Sequence, residues 1–133
     1  MTQPLHRAVL LAIHRRVAGA GSGVRDAALL EDALLPRRGL RGAWDLADSA
    51  AALAYCLARL RPFADGNLRT AHAACATFLA VNGAGLAAPP QAAADSILAL
   101  AEGRLRQAEF AAWLRTRLAA RARRTRAGSR RRA

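Results

Sequence analysis

The sequence predicts an all-α protein, a compact bundle of about six helices. Three observations carry this expectation. Alanine and leucine, the strongest helix formers, dominate an apolar fraction of 53%. β-branched residues are few, which disfavours strands. Apolar residues recur at helical spacing, and no segment alternates convincingly. At 133 residues the chain makes one domain with room for a single core.

Leu5, Val9, Ile13 and Val17 recur every four residues and predict a first helix over about 5 to 18. The loop GAGSG, residues 19 to 23, stops it. Asp26 caps a second helix with Leu29, Leu30, Ala33 and Leu34 on its apolar face, and Pro36 ends it. A basic connection, RRGLRGA over 37 to 43, follows, with room for a short hairpin near 39 to 43. Asp45 caps a third helix that runs to about Leu60. Pro62 disfavours helical geometry at Arg61 and breaks the chain there. The fourth helix starts at Gly66 or Asn67, runs to Val81 and stops at Asn82 and Gly83. Pro89 and Pro90 precede a fifth helix over about 91 to 102, closed by Gly103. A sixth begins near Gln107 and carries Phe110, Trp113, Leu114 and Leu118 at helical spacing.

The formal charge is +12, and every basic side chain is arginine. Seven arginines fall between Arg121 and Arg132, which leaves a body of about +5. The chain therefore divides into a domain over 1–118 and an arginine-rich tail over 119–133. The tail's composition predicts disorder, with weak contact to nucleic acid as the alternative role. No charged-then-apolar leader follows Met1, and no stretch is apolar enough for a membrane span, so a cytoplasmic protein is expected. Cys56 and Cys75 lie in apolar helical patterns and read as buried free thiols.

The polar cluster RPFADGNLRTA, residues 61 to 71, interrupts two apolar stretches. A rigid turn feeds directly into a helix start, whose free N–H groups and dipole favour an anion. Gly66 permits close approach of a ligand, Arg69 offers a guanidinium fork on the first turn, and Asn67 offers an amide donor. Asp65 beside such a site suits a magnesium ion held between carboxylate and phosphates. The residues alone also allow a plainer reading, with Asp65 as a cap, Gly66 as a turn residue and Arg69 as the partner of a nearby acid. Phe63 reads as a core plug.

The cluster resembles the signature of the Fic/Doc superfamily, H-P-F-x-D-G-N-x-R-T-A, and particularly its death-on-curing (Doc) branch. The resemblance extends to VRDAALLEDALLPR (24 to 37), LLAIHRR (10 to 16), FLAVNG (78 to 83) and AEGRLRQAEFAAWLR (101 to 115). It implies a Fic/Doc-like (Fido) helical fold over 1–118 and a toxin of a toxin–antitoxin pair. It further implies ATP and Mg2+ as cofactors, with transfer of a phosphate or AMP to a hydroxyl of a translation factor such as elongation factor Tu. By the same resemblance Asp65 holds the magnesium, and Gly66, Asn67 and Arg69 surround the phosphates. His72, at the position of the Fic second arginine, adds a contact, and Phe63 anchors the loop.

Two residues depart from the pattern. Arg61 stands where the family has its catalytic histidine. A general base needs a neutral form near working pH, and arginine has none. Arg61 can still bind phosphate or stabilise charge. Leu68 stands where Fic proteins carry glycine and Doc proteins usually lysine, which removes a cation from the site. The expectations are therefore a Doc-like transferase, a nucleotide- or partner-binding pseudoenzyme, or a basic nucleic-acid-associated module. His6 and His14 are read as surface or packing residues.

Overall fold

The structure, a computed structural model, describes residues 2–19, 21–35 and 45–120. Pro36, the 37 to 43 connection with its candidate hairpin, Trp44 and residues 121–133 of the tail lie outside the described residues. The described chain forms α1 (Arg7–Ala18), α2 (Ala27–Leu34), α3 (Leu46–Tyr55), a π-helical extension (Cys56–Leu60) and α4 (Asn67–Val81). β1 (Ala84–Leu86), α5 (Pro90–Ala101), α6 (Gln107–Arg117) and β2 (Leu118–Ala120) complete it. The expectation of an all-α bundle with six α-helices is met.

The caps read from the sequence are present. Asp26 accepts from the Leu29 amide at 3.1 Å. Asp45 and Asp48 form a reciprocal capping box at the start of α3, with distances of 2.9 and 3.2 Å. Gly103, in the left-handed region at φ 78°, follows the end of α5.

α4 runs through the middle of the bundle and packs against α1, α3, α5 and β1. Its inner face buries Ala71, Ala74, Cys75, Phe78 and Leu79. α3 is equally alanine-rich, with Ala50, Ala51 and Ala54 wholly buried. Small side chains on both helices let their axes approach closely. Leucines from the periphery, among them Leu10, Leu30, Leu57, Leu100 and Leu114, fill the remaining volume with no exposed surface beyond 1%. Each such burial contributes about 1.5–3 kcal/mol.

Two features differ from the sequence-based expectation. The third helix does not run regularly to Leu60, because its last five residues widen into the π-helical turn. In addition, β1 and β2 pair antiparallel, with Ala84 opposite Ala120 and Leu86 opposite Leu118. Ala119 and Ala120, assigned by sequence to the tail, therefore belong to the folded body. Among the described residues no helix is long and apolar enough to cross a membrane.

Candidate functional site

The loop from Arg61 to Gly66 links the π-helical turn to α4. Its first residue has φ 58° and ψ 65°, a left-handed conformation uncommon for a residue with a side chain. The π turn ends with carbonyls that no following helix satisfies. The segment before α2 satisfies them. Arg25 donates from Nε to the Arg61 carbonyl at 2.8 Å and from a terminal nitrogen to the Leu60 carbonyl at 2.9 Å. The backbone amides of Arg25 and Asp26 both donate to the Pro62 carbonyl, at 2.7 and 2.9 Å. Ala64 donates to the Gly23 carbonyl at 2.9 Å, and Val24 and Phe63 form an isolated antiparallel bridge.

Below the loop, Phe63 is 1% exposed, as the sequence predicts for an anchor. His14 of α1 stacks on it, with ring centroids 3.7 Å apart and planes 8° from parallel. His14 Nε2 lies 2.9 Å from the Asp65 carbonyl oxygen. A carbonyl only accepts, so Nε2 is the donor of this pair. The Ser22 hydroxyl sits 3.3 Å from both His14 Nε2 and the Asp65 carbonyl. His14 is thus a packing residue, as expected, and the packing is that of the motif loop itself.

The amide of Asn67 was expected to reach a phosphate. Instead it closes the loop from inside. Oδ1 accepts from the Phe63 amide at 3.0 Å, and Nδ2 donates to the Phe63 carbonyl at 2.9 Å. Asn67 is buried and four residues from Phe63, a spacing that suits such a closure. What α4 presents outward at this point is backbone. Gly66, the residue preceding the helix, supplies no side-chain cap, and the N–H groups of a first turn have no intrahelical partners. Gly66 has φ 74°, and a Cβ there would lie 2.5 Å from Ala18 Cβ. Only glycine lets the loop lie against α1 in this way.

The charged side chains of the motif are exposed. Asp65 Oδ1 accepts from the Gly66 amide at 2.7 Å, and Oδ2 has no hydrogen bond among the described residues. The Arg61 and Arg69 guanidiniums form no ion pair among the described residues. The plainer reading of Arg69, as the partner of a nearby acid, therefore has no support among the described residues. This donor set suits a magnesium-bound polyphosphate: a helix start, a free guanidinium and one carboxylate. No cluster of three or more metal-ligating side chains exists among the described residues. A single carboxylate is the usual protein share of a magnesium site completed by phosphates and water.

Arg69, His72 and Ala76 follow at helical spacing, so they share one face of α4. Along that face runs a groove of about 400 Å3. His72, Ala76, Leu79 and Ala80 form one wall. β1, Ala88, Pro90 and Ala93 form the other. His72 is half-buried, Arg69 stands one turn nearer the loop, and Leu68 is exposed.

A helical bundle with such a loop at the head of its central helix defines a Fic/Doc domain. The model of the Fic/DOC family matches residues 4–79, and the chain belongs to that family. It is similar to Toxin Doc of Mycolicibacterium smegmatis (strain ATCC 700084 / mc(2)155), at 41% identity over 92 residues. That alignment covers 66% of this chain and 71% of the relative.

His14, Ser22 and Arg25 support the loop and were not singled out for it in the sequence. Arg25 lies in the V-R-D stretch that resembles Doc proteins, which is the one signal that pointed to it.

Proposed function

We propose that the chain is a Doc-type toxin of a toxin–antitoxin pair. Its site binds ATP with magnesium and transfers a phosphate to a hydroxyl of a translation factor, with elongation factor Tu the candidate that the family suggests. The observation that carries this reading is the uncapped start of α4, where a left-handed Gly66 lies against Ala18 and Arg69 pairs with no acid among the described residues. The similarity to a protein named Toxin Doc supports the toxin role and an antitoxin partner.

The first-turn N–H groups and Arg69 bind phosphate oxygens and orient the chain of phosphates. Asp65 supplies the carboxylate for the metal, which when bound neutralises phosphate charge. The acceptor hydroxyl oxygen bonds to the γ-phosphorus as the bond to the bridging oxygen breaks. ADP leaves and the hydroxyl proton passes to solvent. Phosphoryl transfer runs through a loose transition state, for which positioning and electrostatics matter more than a base. Arg61 takes no proton, but its guanidinium stabilises charge on the transferring group. A missing base costs about 10²–10⁴ in rate. The reading is therefore of slow transfer.

The same Arg61 favours a second reading, a member that binds nucleotide without transfer. One experiment separates the two. The natural chain, Arg61→His and Arg69→Ala are incubated with target and ATP labelled at the α- or γ-phosphate. The first reading expects slow γ-label transfer, faster by roughly 10²–10⁴ in Arg61→His and lost in Arg69→Ala. ATP binding without transfer by the natural chain establishes the second, whether or not Arg61→His restores transfer. A natural chain that binds no ATP with magnesium sinks both.

A further inference from the structure

Residues with a side chain occupy the left-handed region only where their surroundings enforce it. Arg61 is such a residue, and no asparagine or glycine chemistry at that position explains it. Arg25 makes the side-chain hydrogen bonds across this turn. Nε and one terminal nitrogen both donate to the Arg61 carbonyl, and that same terminal nitrogen also donates to the Leu60 carbonyl. The Arg25 backbone amide adds the Pro62 carbonyl. One residue thereby holds three successive carbonyls across the break between the π-helical turn and the loop. This requires a planar fork, which lysine lacks.

We infer that Arg25 is a positioning residue. Its guanidinium sets the left-handed turn at Arg61 and so fixes the direction in which side chain 61 leaves the loop and the approach of the loop to α4. This rests on the proposed reading of the loop as the anion-binding site. The direction of residue 61 is independent of what the site binds. The Arg25 side chain belongs to the support of the loop, since all three of its hydrogen bonds go to backbone.

The test is a double-mutant cycle on the full chain, read by thermal unfolding and by titration with Mg·ATP. Glycine is at ease in the left-handed region, so Arg61→Gly raises the unfolding temperature by roughly 3 °C while Arg25 holds the turn. In the Arg25→Gln background the turn relaxes, and the same substitution lowers the unfolding temperature instead. Affinity for Mg·ATP falls roughly tenfold in Arg25→Gln. Arg25→Lys keeps the charge but not the fork, shows the same loss, and serves if Arg25→Gln does not fold. An equal effect of Arg61→Gly in both backgrounds overturns the inference, as does an Arg25 variant that binds Mg·ATP as tightly as a natural chain that does bind it. A natural chain that binds no Mg·ATP but shows the change of sign removes the proposed function and leaves Arg25 as the residue that sets the turn.

Discussion

The imidazole of His14 lies flat on the ring of Phe63, 3.7 Å away, while its Nε2 donates to the Asp65 carbonyl. One side chain of α1 therefore supports the motif loop twice, through its face and through its edge. The two contributions separate by substitution. His14→Phe keeps the stack and leaves the Asp65 carbonyl with the Ser22 hydroxyl alone. His14→Ala loses both and opens a cavity beneath Phe63. His14→Ala is expected to cost about 2–4 kcal/mol and His14→Phe about 1 kcal/mol, read as denaturant midpoints at constant slope.

Gly66 makes a separable prediction. Gly66→Ala meets two penalties, the positive φ and the overlap with Ala18 Cβ. Together these are expected to destabilise by about 2–3 kcal/mol. Ala18→Gly removes the overlap but not the backbone strain. The double variant Ala18→Gly, Gly66→Ala should therefore be destabilised by less than the sum of the two single effects. Strict additivity in chemical unfolding would show that the loop does not rest on α1 as described.

Arg115 joins α6 to the start of α3. It lies 2.6 Å from Asp45 and 2.9 Å from Asp48. Its hydrogen bond is the main reason the Asp45 carboxyl sits well below the usual carboxylate range, with the Asp48 amide assisting against desolvation. A carboxyl whose folded pKa is depressed stabilises the fold above its unfolded pKa of about 4, and this is lost as pH falls further. About half of each side chain is exposed, so solvent screening limits the contribution to about 1 kcal/mol. Arg115→Ala should lower stability at pH 7, and its difference from the natural chain should shrink below about pH 4. Unfolding curves across that range test it.

Burial pushes the Cys75 thiol up to about 12, and Cys75 sits on the inner face of α4. The thiolate is the reactive form, so the native protein should resist alkylation at neutral pH. Labelling at Cys75 should appear only in denaturant, with mass spectrometry as the readout. Prompt labelling of the native chain would mean that α4 opens readily from the bundle.

Most helix boundaries were legible because their signals are local. Asp26, Asp45, Pro62 and Gly103 act on neighbours within a turn, and each works as its chemistry dictates. Phe63 was readable as an anchor for the same reason. The β1–β2 pair was not, since three residues of alanine, glycine and leucine carry no alternation and their partners lie 34 or so positions away. His14 and Arg25 escaped for a related reason. They act on Asp65 and Arg61 across 51 and 36 residues, through backbone carbonyls that have no side-chain signature. Asn67 shows the opposite case. Its amide looked available from the sequence, and the fold turned it inward to close the loop on Phe63.

The groove along α4 has walls of different standing. One belongs to the helix that begins at the motif, and all of it but Ala80 lies within the stretch matched by the family model up to residue 79. The opposite wall, from Ala84 to Ala93, comes from chain beyond that stretch. Exchange of small residues in β1 and at the start of α5 therefore reshapes one wall of the groove and leaves Asp65, Gly66 and Arg69 as they are.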